Sequence, residues 1–400
     1  MILPLGDEPN PPGVPVVTYA LILVNCAVFF LLTLPLGFVR PDTTDPLVQD
    51  YIRAVMQATG APPSQRVVEA IVRGLSQDDL FGFRWGFRPS DPQFITLFTA
   101  MFLHGGFFHL AGNMLFLWIY GDNVEHRLGR GRFLLAYLGT GVLATSSHAF
   151  LDLSSVLPMV GASGAISGVL GFYFVWFPKN RVRLWVMLFP FFMNVIYAPA
   201  RFVLGMYLVV DNLFPFLVSR GLEGGGVAYG AHIGGFLGGL AYAWWSDRRE
   251  VEHAPDEYEP TVRTIDADPA SVRGIRQRIE DGSYEEAAPA YFQLSSARTA
   301  RMLMPEDSIR FGNWLANHQH SDAALIIYQR HLRDYPLGPY TAEAHLGAGL
   351  VQLHARDQPT AAYQHLVAVL DIDPHPDTEA HARRALDDIS KRQKFQVSRH

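Results

Sequence analysis

The sequence predicts an all-α protein in which a polytopic membrane domain precedes a soluble helical tail. Residues 1 to about 246 contain several apolar stretches of roughly 20 residues, the length that crosses a bilayer. From about residue 247 onward the chain is charged, rich in histidine and free of such stretches. A length of 400 residues is enough for two or three domains.

Six apolar segments define the predicted spans. We expect these spans near residues 16–37, 95–120, 131–151, 163–178, 198–218 and 227–246. The predicted domains are a leader at 1–15, a membrane domain at 16–246 with a long outer loop at 38–94, a linker at 247–272 and a helical domain at 273–400.

Two segments between the spans have patterns of their own. The long outer loop contains a predicted amphipathic helix near residues 63–75. The apolar segment 184–197 is short and contains Pro190. We interpret it as a re-entrant or interfacial piece, or as part of a long fifth helix.

The basic residues give the predicted spans an orientation. Lys and Arg concentrate in the loops after spans two and four and directly after span six, whereas the loops after spans three and five hold one or none. Short cytoplasmic loops carry an excess of these residues, so we expect both termini in the cytoplasm. The strong preference for Arg over Lys suggests a GC-rich genome, and we expect a bacterial inner membrane.

Composition excludes several classes of function. The net charge of −6 comes without a basic stripe, so we expect no nucleic-acid partner. Cys26 is the single cysteine, which excludes an intrachain disulfide and a cysteine metal site. We expect no cofactor and no metal, because the histidines of the tail are scattered and fit a solvated surface.

Polar residues cluster near the outer ends of spans two, four and six. His109 and Asn113 are four residues apart and therefore share one helix face. Ser163 opens span four, and His232 lies at a similar depth in span six. A hydrogen bond between this serine and this histidine is the minimum for nucleophilic catalysis, because the imidazole can take the hydroxyl proton.

Glycines provide the close approach that such a contact needs. Gly161 and Gly164 thin span four and expose backbone N–H groups around Ser163, which can stabilise an oxyanion. Gly235 belongs to a glycine series that thins span six. Taken singly, each feature has an ordinary explanation: GxxxG spacing is common packing, and an intramembrane serine usually bonds its own backbone.

Four stretches, taken in order, resemble the rhomboid family of intramembrane serine proteases. HGGFFHLAGN fits the family's H-x-x-x-x-H-x-x-x-N, and GASG fits its G-x-S-G. AHIGG fits the A-H-x-x-G of the sixth helix. GDNVEHRLGRGRF looks like the G-x-x-x-E-x-R-x-G turn, with Glu125 and Arg127 at its charged positions. The resemblance covers roughly residues 15 to 246.

The resemblance implies a role for each matched residue. Ser163 is the expected nucleophile and His232 its base, and the family needs no acidic third member. His109, Asn113 and the Ser163 amide are the expected oxyanion hole. His104, Gly161, Gly164 and Gly235 are expected to be structural, with His104 ordering the outer loop. Glu125 and Arg127 are expected to form an ion pair or a loop clamp.

The implied activity is cleavage of transmembrane segments of other proteins near the extracytoplasmic face, with the bilayer as the medium. Ser167, one turn deeper than Ser163, is expected to be a packing hydroxyl, with a role as nucleophile the less favoured alternative. A catalytically inactive relative that binds membrane helices is the second hypothesis. An unrelated transporter is the third; it predicts charged residues deep in the spans and inverted repeats, and no inverted repeat is recognised in the sequence.

A weak repeat runs through the tail. Ala288, Ala324 and Ala362 each precede an aromatic residue at intervals of 36 and 38 residues. This period resembles that of tetratricopeptide-type helical hairpins, whose ideal length is about 34 residues. Such hairpins would form a concave surface for a cytoplasmic protein or peptide partner. A plain helical tail without a repeat is the alternative.

Overall fold

A computed structural model describes residues 2–11, 13–188, 192–219, 228–252, 269–294, 299 and 301–397. The described chain is mostly helical, which confirms the predicted fold class. Its strands form one small sheet that the sequence analysis did not predict. Pro190 and residues 253–268 of the predicted linker lie outside the described residues.

The chain divides into two compact units that do not follow chain order. The membrane unit comprises Gly13–Val175 and Arg201–Ala243. The tail unit comprises Met1–Pro12, Trp176–Ala200 and Trp244–His400. The tail unit therefore includes an N-terminal segment and an internal segment that the sequence analysis assigned to the leader and the membrane domain.

Six helices follow the order of the six predicted spans. They are α1 (Val16–Leu36), α6 (Phe107–Leu128), α7 (Arg130–Leu151), α8 (Ser163–Trp176), α9 (Ala200–Val218) and α10 (Tyr229–Glu252). Among the described residues, α1, α7 and α9 are long and apolar enough to cross a membrane by length and composition. Helix α8 is shorter, with 14 residues, and strongly apolar.

The second predicted span is broken, which corrects its predicted bounds of 95–120. A short helix, α5 (Thr96–Phe102), ends before the glycine pair Gly105 and Gly106, and α6 begins at Phe107. The two helices meet at an angle of 95°. Counted as one bent span, they add a fourth candidate crossing. Helix α6 continues to Leu128, eight residues beyond the predicted end. It ends there because the next residue, Gly129, has a positive φ of 76°.

Three helices lie within residues 38–94, the segment predicted to be a long outer loop: α2 (Pro46–Thr59), α3 (Gln65–Gly74) and α4 (Gln77–Trp85). Helix α3 is the amphipathic helix predicted near residues 63–75. Asp45 caps α2, and Ser76 with Asp79 forms a capping box at the start of α4. Leu75, Leu80 and Val48 pack together beneath them, so the loop has a small apolar core of its own.

The Glu125 carboxylate fixes the start of α1 against the end of α6. It accepts hydrogen bonds from the backbone N–H groups of Val17 (3.0 Å) and Thr18 (2.7 Å) and from the Thr18 hydroxyl (2.8 Å). A negative charge at a helix N-terminus is favourable, because it accepts hydrogen bonds from free N–H groups and is attracted by the positive end of the helix dipole. Arg127 lies in the same last turn of α6.

Helices α8 and α10 approach until their backbones touch. A Cβ atom added to Gly235 would lie 2.1 Å from the Gly164 carbonyl oxygen, and one added to Gly239 would lie 2.0 Å from that of Gly168. A Cβ on Gly164 would lie 2.7 Å from the Cβ of Ala144 in α7. Small residues allow this approach, as they do at many interfaces between membrane helices.

We expect G235A to destabilise the membrane unit by about 1–3 kcal/mol, the usual range for overpacking, because its methyl group meets backbone that cannot rotate away. The matched control is G139A in α7, where a Cβ meets nothing within 4 Å and helix propensity favours alanine. Unfolding of the two variants in detergent micelles checks this difference. Equal stabilities would contradict the close packing of α8 and α10.

The tail unit contains a three-stranded antiparallel sheet of order β1-β2-β3. Its strands are β1 (Ile2–Glu8), β2 (Arg181–Leu188) and β3 (Phe192–Pro199). Leu3 pairs with Trp185, which in turn pairs with Val195. The helical and re-entrant interpretations of 184–197 are therefore wrong. Much of the predicted leader is likewise a strand, because its backbone pairs with β2.

Helices fill the rest of the described tail unit. They are α11 (Pro269–Glu280), α12 (Tyr284–Phe292), α13 (Pro305–Asn317), α14 (Ser321–Asp334), α15 (Thr341–His354), α16 (Pro359–Leu370) and α17 (Pro376–Val397). The repeated alanines Ala288, Ala324 and Ala362 lie on α12, α14 and α16, and each is fully buried. Small side chains at these points permit close helix packing, and the assignment to tetratricopeptide repeats stays a prediction.

Gln364 of α16 joins the helices of the tail unit to the segment that precedes β2. Its side-chain oxygen accepts a hydrogen bond from the Lys179 backbone N–H at 2.8 Å, and its amide nitrogen donates to Asn180 Oδ1 at 2.6 Å. The Lys179 ammonium lies 2.7 Å from the Asp371 carboxylate. Nearby, the Nδ1 atoms of His345 and His365 are 3.0 Å apart.

Acid is expected to loosen the tail unit at His345. Burial, with a smaller contribution from the charge of Lys179, lowers the pKa of His345 from its ordinary 6.5 to about 4. Between these values the unfolded chain binds more protons than the folded chain, so stability rises with pH through this window and is lost as the pH falls.

Thermal denaturation of the full chain in detergent between pH 4 and pH 7 measures this effect. H345Q should flatten the pH dependence, because it removes the titrating group. H354Q is the matched control, since His354 ends the same helix and is exposed. An unchanged pH dependence in H345Q would show that other groups govern the acid sensitivity.

Candidate active site

Ser163 is the first residue of α8, at the end of a fixed turn. Gly161 has a φ of 128°, which favours glycine, and its N–H donates to the Ala100 carbonyl oxygen at 2.8 Å. A Cβ on Gly161 would lie 2.8 Å from Cε1 of the His109 ring. Glycine is therefore required here both for the turn and for the space that His109 occupies.

The structure brings Ser163 and His232 together. His232 lies in the first turn of α10, and its Nε2 atom is 2.7 Å from the Ser163 Oγ atom. The distance is that of a hydrogen bond between a hydroxyl and an imidazole nitrogen. The close contact between α8 and α10 through Gly164 and Gly235 accounts for this geometry, because it sets both side chains on facing first turns.

Asn212 forms a hydrogen bond with the other nitrogen of the His232 ring. It was not identified from the sequence. Its Oδ1 atom lies 2.6 Å from His232 Nδ1, and its Nδ2 atom donates to the Tyr207 carbonyl oxygen at 2.9 Å. Asn212 is 1% exposed and belongs to a π-helical turn, Tyr207–Leu213, within α9. The polar pair Asp211 and Asn212 inside a predominantly apolar span is a signal of function that could have identified it.

Residues of α6 line the space beside Ser163. His109 sits over Gly161 and is exposed to the cavity, whereas Asn113 one turn later is buried. Among the described residues, the Asn113 Nδ2 atom has no hydrogen-bond partner. The His104 ring packs edge-on against His109, with 5.2 Å between ring centroids. An unused amide donor at this point can serve an oxygen atom of a bound molecule.

Ser167 is held elsewhere. It is fully buried, and its hydroxyl lies 3.2 Å from the Tyr207 hydroxyl. Its described hydrogen bond is thus with a tyrosine of α9, not with His232.

A cavity of about 970 Å³ opens onto these side chains. Its lining includes Ser163, His232, His109 and Asn113. Gln57, near the end of α2, lines it as well. The volume is within the range of sites that hold small molecules or short peptide segments.

The chemical capacity of the site follows from these contacts. A serine hydroxyl bonded to an imidazole can be deprotonated as it attacks a carbonyl carbon. The N-terminus of α8 directs free N–H groups and the positive end of the helix dipole toward the same point, next to the unused amide of Asn113. The arrangement has the parts of an acyl-transfer site: a nucleophile, a base and oxyanion donors.

Comparison with known proteins finds a matching family and several similar relatives. Residues 91–249 match the family described as the Rhomboid domain. The chain is 32% identical over 145 residues to the putative rhomboid protease YdcA of Bacillus subtilis, an alignment that covers 34% of this chain and 68% of YdcA. It is 30% identical over 229 residues to the rhomboid protease GluP of the same bacterium, which covers 57% of this chain and 34% of GluP.

A mitochondrial relative has the same percentage identity to this chain as GluP. The chain is 30% identical over 155 residues to rhomboid protein 1, mitochondrial, of Saccharomyces cerevisiae, covering 38% of this chain and 41% of that protein. It therefore spans well under half of the length of this relative and of GluP. The domain match, the coverage of YdcA and the membrane helices together show that this chain belongs to the rhomboid family of membrane proteins.

Proposed function

We propose that this protein is an intramembrane serine endopeptidase that uses Ser163 and His232 as a catalytic dyad. The observation that carries the proposal is the 2.7 Å contact between Ser163 Oγ and His232 Nε2 at the edge of a cavity of about 970 Å³. A serine–histidine bond that a peptide can reach is the requirement for acyl transfer. Rhomboid relatives that are named as proteases support the same reaction class.

The reaction proceeds in two halves. Neutral His232 takes the hydroxyl proton while Ser163 Oγ bonds to the carbonyl carbon of the scissile peptide. The imidazolium then returns that proton to the leaving nitrogen as the C–N bond breaks, which leaves an acyl-enzyme. Water attacks the ester in the second half, with His232 again the base, and Ser163 recovers its proton.

Three donors are proposed to stabilise the oxyanion. The Ser163 N–H belongs to the first turn of α8, where backbone donors are free of intrahelical bonds. The buried Nδ2 group of Asn113 and the ring of His109 flank the same end of the cavity. Donors that are fixed in advance are effective, because they need not reorganise as charge develops.

The proposed substrates are transmembrane segments of other proteins. From the distribution of basic loops we propose that the N-terminal end of α8 lies on the extracytoplasmic side and that cleavage occurs near that face. A substrate helix must unwind locally to expose its carbonyl carbon, which favours residues of low helix propensity at the cleavage site. We propose that it enters laterally between α6 and α9.

The remaining assignments concern the location of the protein and its tail. We propose a bacterial inner membrane with both termini in the cytoplasm, from the distribution of Lys and Arg. The helical part of the tail unit is proposed to bind a cytoplasmic protein or peptide.

S163A should abolish cleavage of a model transmembrane substrate by the purified protein, because it removes the nucleophile. A serine-directed fluorophosphonate should label wild type at Ser163 and leave S163A unlabelled, as located by mass spectrometry of the modified peptide. The expected loss is at least 10³-fold, since little of the reaction proceeds without the nucleophile.

The matched control is S167A, which removes a hydroxyl one turn deeper on the same helix. It should retain labelling and most of the activity, because Ser167 bonds Tyr207 and not His232. Loss of labelling in S167A but not in S163A would make Ser167 the nucleophile. A wild-type protein that binds membrane helices without cleaving them would favour the inactive scaffold instead.

N113L is expected to lower kcat by about 10²- to 10³-fold with a smaller change in KM, because the amide donates to the transition state more than to the bound substrate. Steady-state cleavage of the model substrate measures both constants. N25L is the matched control, since Asn25 is a buried amide of α1 that donates to the Leu21 carbonyl oxygen. If both variants lose kcat equally, Asn113 has no special part in the oxyanion hole.

A further inference from the structure

We propose that Asn212 is a positioning residue that holds His232 in the tautomer able to accept the Ser163 proton. The inference rests on the proposed dyad and adds a third, neutral member to it. The sequence resemblance gave no reason to expect one. The contacts that carry it are the two hydrogen bonds of the Asn212 amide, which reach His232 Nδ1 at 2.6 Å and the Tyr207 carbonyl oxygen at 2.9 Å.

The Tyr207 carbonyl fixes which way the Asn212 amide faces. A carbonyl oxygen only accepts hydrogen bonds, so the group that meets it must be the NH₂ of the amide. The amide oxygen then points to His232. The reversed amide would set oxygen against oxygen at Tyr207, which is unfavourable.

The orientation of the amide in turn fixes the imidazole. The Asn212 oxygen can only accept, so His232 Nδ1 must carry a hydrogen. In the neutral ring the other nitrogen, Nε2, then has a free lone pair. This lone pair faces the Ser163 hydroxyl at 2.7 Å. A chain of three hydrogen bonds thus runs from a backbone carbonyl to the nucleophile, and each determines the direction of the next.

A π-helical turn delivers Asn212 to the ring. The turn Tyr207–Leu213 widens α9, and Asn212 follows Tyr207 by five residues, the spacing of a π-helix. The side chain of Tyr207 is tied to α8 as well, because its hydroxyl lies 3.2 Å from Ser167 Oγ. Both the backbone and the side chain of Tyr207 therefore locate the turn relative to the dyad.

The Asn212 contact is also useful after proton transfer. When His232 becomes an imidazolium, its Nδ1–H is a stronger donor, and the Asn212 oxygen is already in place to accept it. Asn212 is only 1% exposed, so water cannot easily replace it as the acceptor of this hydrogen bond. Asn212 therefore acts through His232, without touching the substrate.

The test compares N212L with N212D in the full-length protein. N212L keeps the size of the side chain and removes the acceptor, so kcat should fall by about 10- to 100-fold, the effect of one hydrogen bond to a charged group, with KM little changed. The rate of fluorophosphonate labelling at Ser163 should fall in parallel. N212D keeps an oxygen at Nδ1, and its second oxygen, when protonated, donates to the Tyr207 carbonyl as the amide does. At a pH where that carboxyl is protonated, both rates should recover to within about tenfold of wild type.

N25L provides the control for removing a buried membrane amide. Asn25 is fully buried and bonds a backbone carbonyl of its own helix, as Asn212 does, but it lies in α1 and its described hydrogen bond is with Leu21, not with His232. N25L should leave kcat and the labelling rate close to wild type. If N212L instead fails to fold, N212D decides: recovered labelling supports the positioning role, and labelling as slow as in unfolded protein overturns it.

Two further outcomes separate this inference from the proposed function. A wild-type protein that is labelled at Ser163, with N212L as fast as N25L, overturns the role of Asn212 and leaves the dyad intact. A wild-type protein that is neither labelled nor able to cleave overturns the dyad, and the role of Asn212 fails with it.

Discussion

The contact between the backbones of α8 and α10 is the constraint on which the site depends. Gly164 and Gly235 leave no side chain between the two helices, and the first turns of both are consequently within reach of each other. Ser163 and His232 need no long or flexible side chains to meet, so little conformational entropy is lost in aligning them. Without this contact, α8 would be an ordinary apolar helix with a hydroxyl at one end.

Other elements fix the surroundings of that contact without taking part in chemistry. The Glu125 carboxylate joins the start of α1 to the end of α6, the helix that also bears His109 and Asn113. The bond from Gly161 to Ala100 ties the turn before Ser163 to the residues that precede α6. The site is thus supported from several helices, as preorganised sites require.

The sequence predicted the parts of the fold that follow a local pattern. Runs of apolar residues located the six helices of the predicted spans, and Gly164 and Gly235 indicated the close approach of α8 and α10. The hairpin of β2 and β3 was not predicted, because a short apolar run fits a strand as well as a helix. Its third strand is Ile2–Glu8, far away in the chain, and no local pattern links such segments.

The same distinction applies to the candidate site. Ser163, His232, His109 and Asn113 were recognisable because each lies in a short motif with fixed spacing. Asn212 was overlooked: its polarity within the span was a signal, but its direction depends on a turn that departs from the regular helical period. A wheel drawn at 3.6 residues per turn misplaces Asn212, because Asn212 lies inside a wider turn.

That wider turn makes the length of α9 part of the site. A π turn holds one more residue than the α-helical turn it replaces, so deleting any single residue from 207–213 would let the helix close to regular geometry. The later side chains would keep their faces, because the lost residue is the extra one, but Asn212 would lose the wide turn that carries it to the imidazole. The fifth helix can therefore vary in composition along its outer surface far more freely than it can vary in residue count.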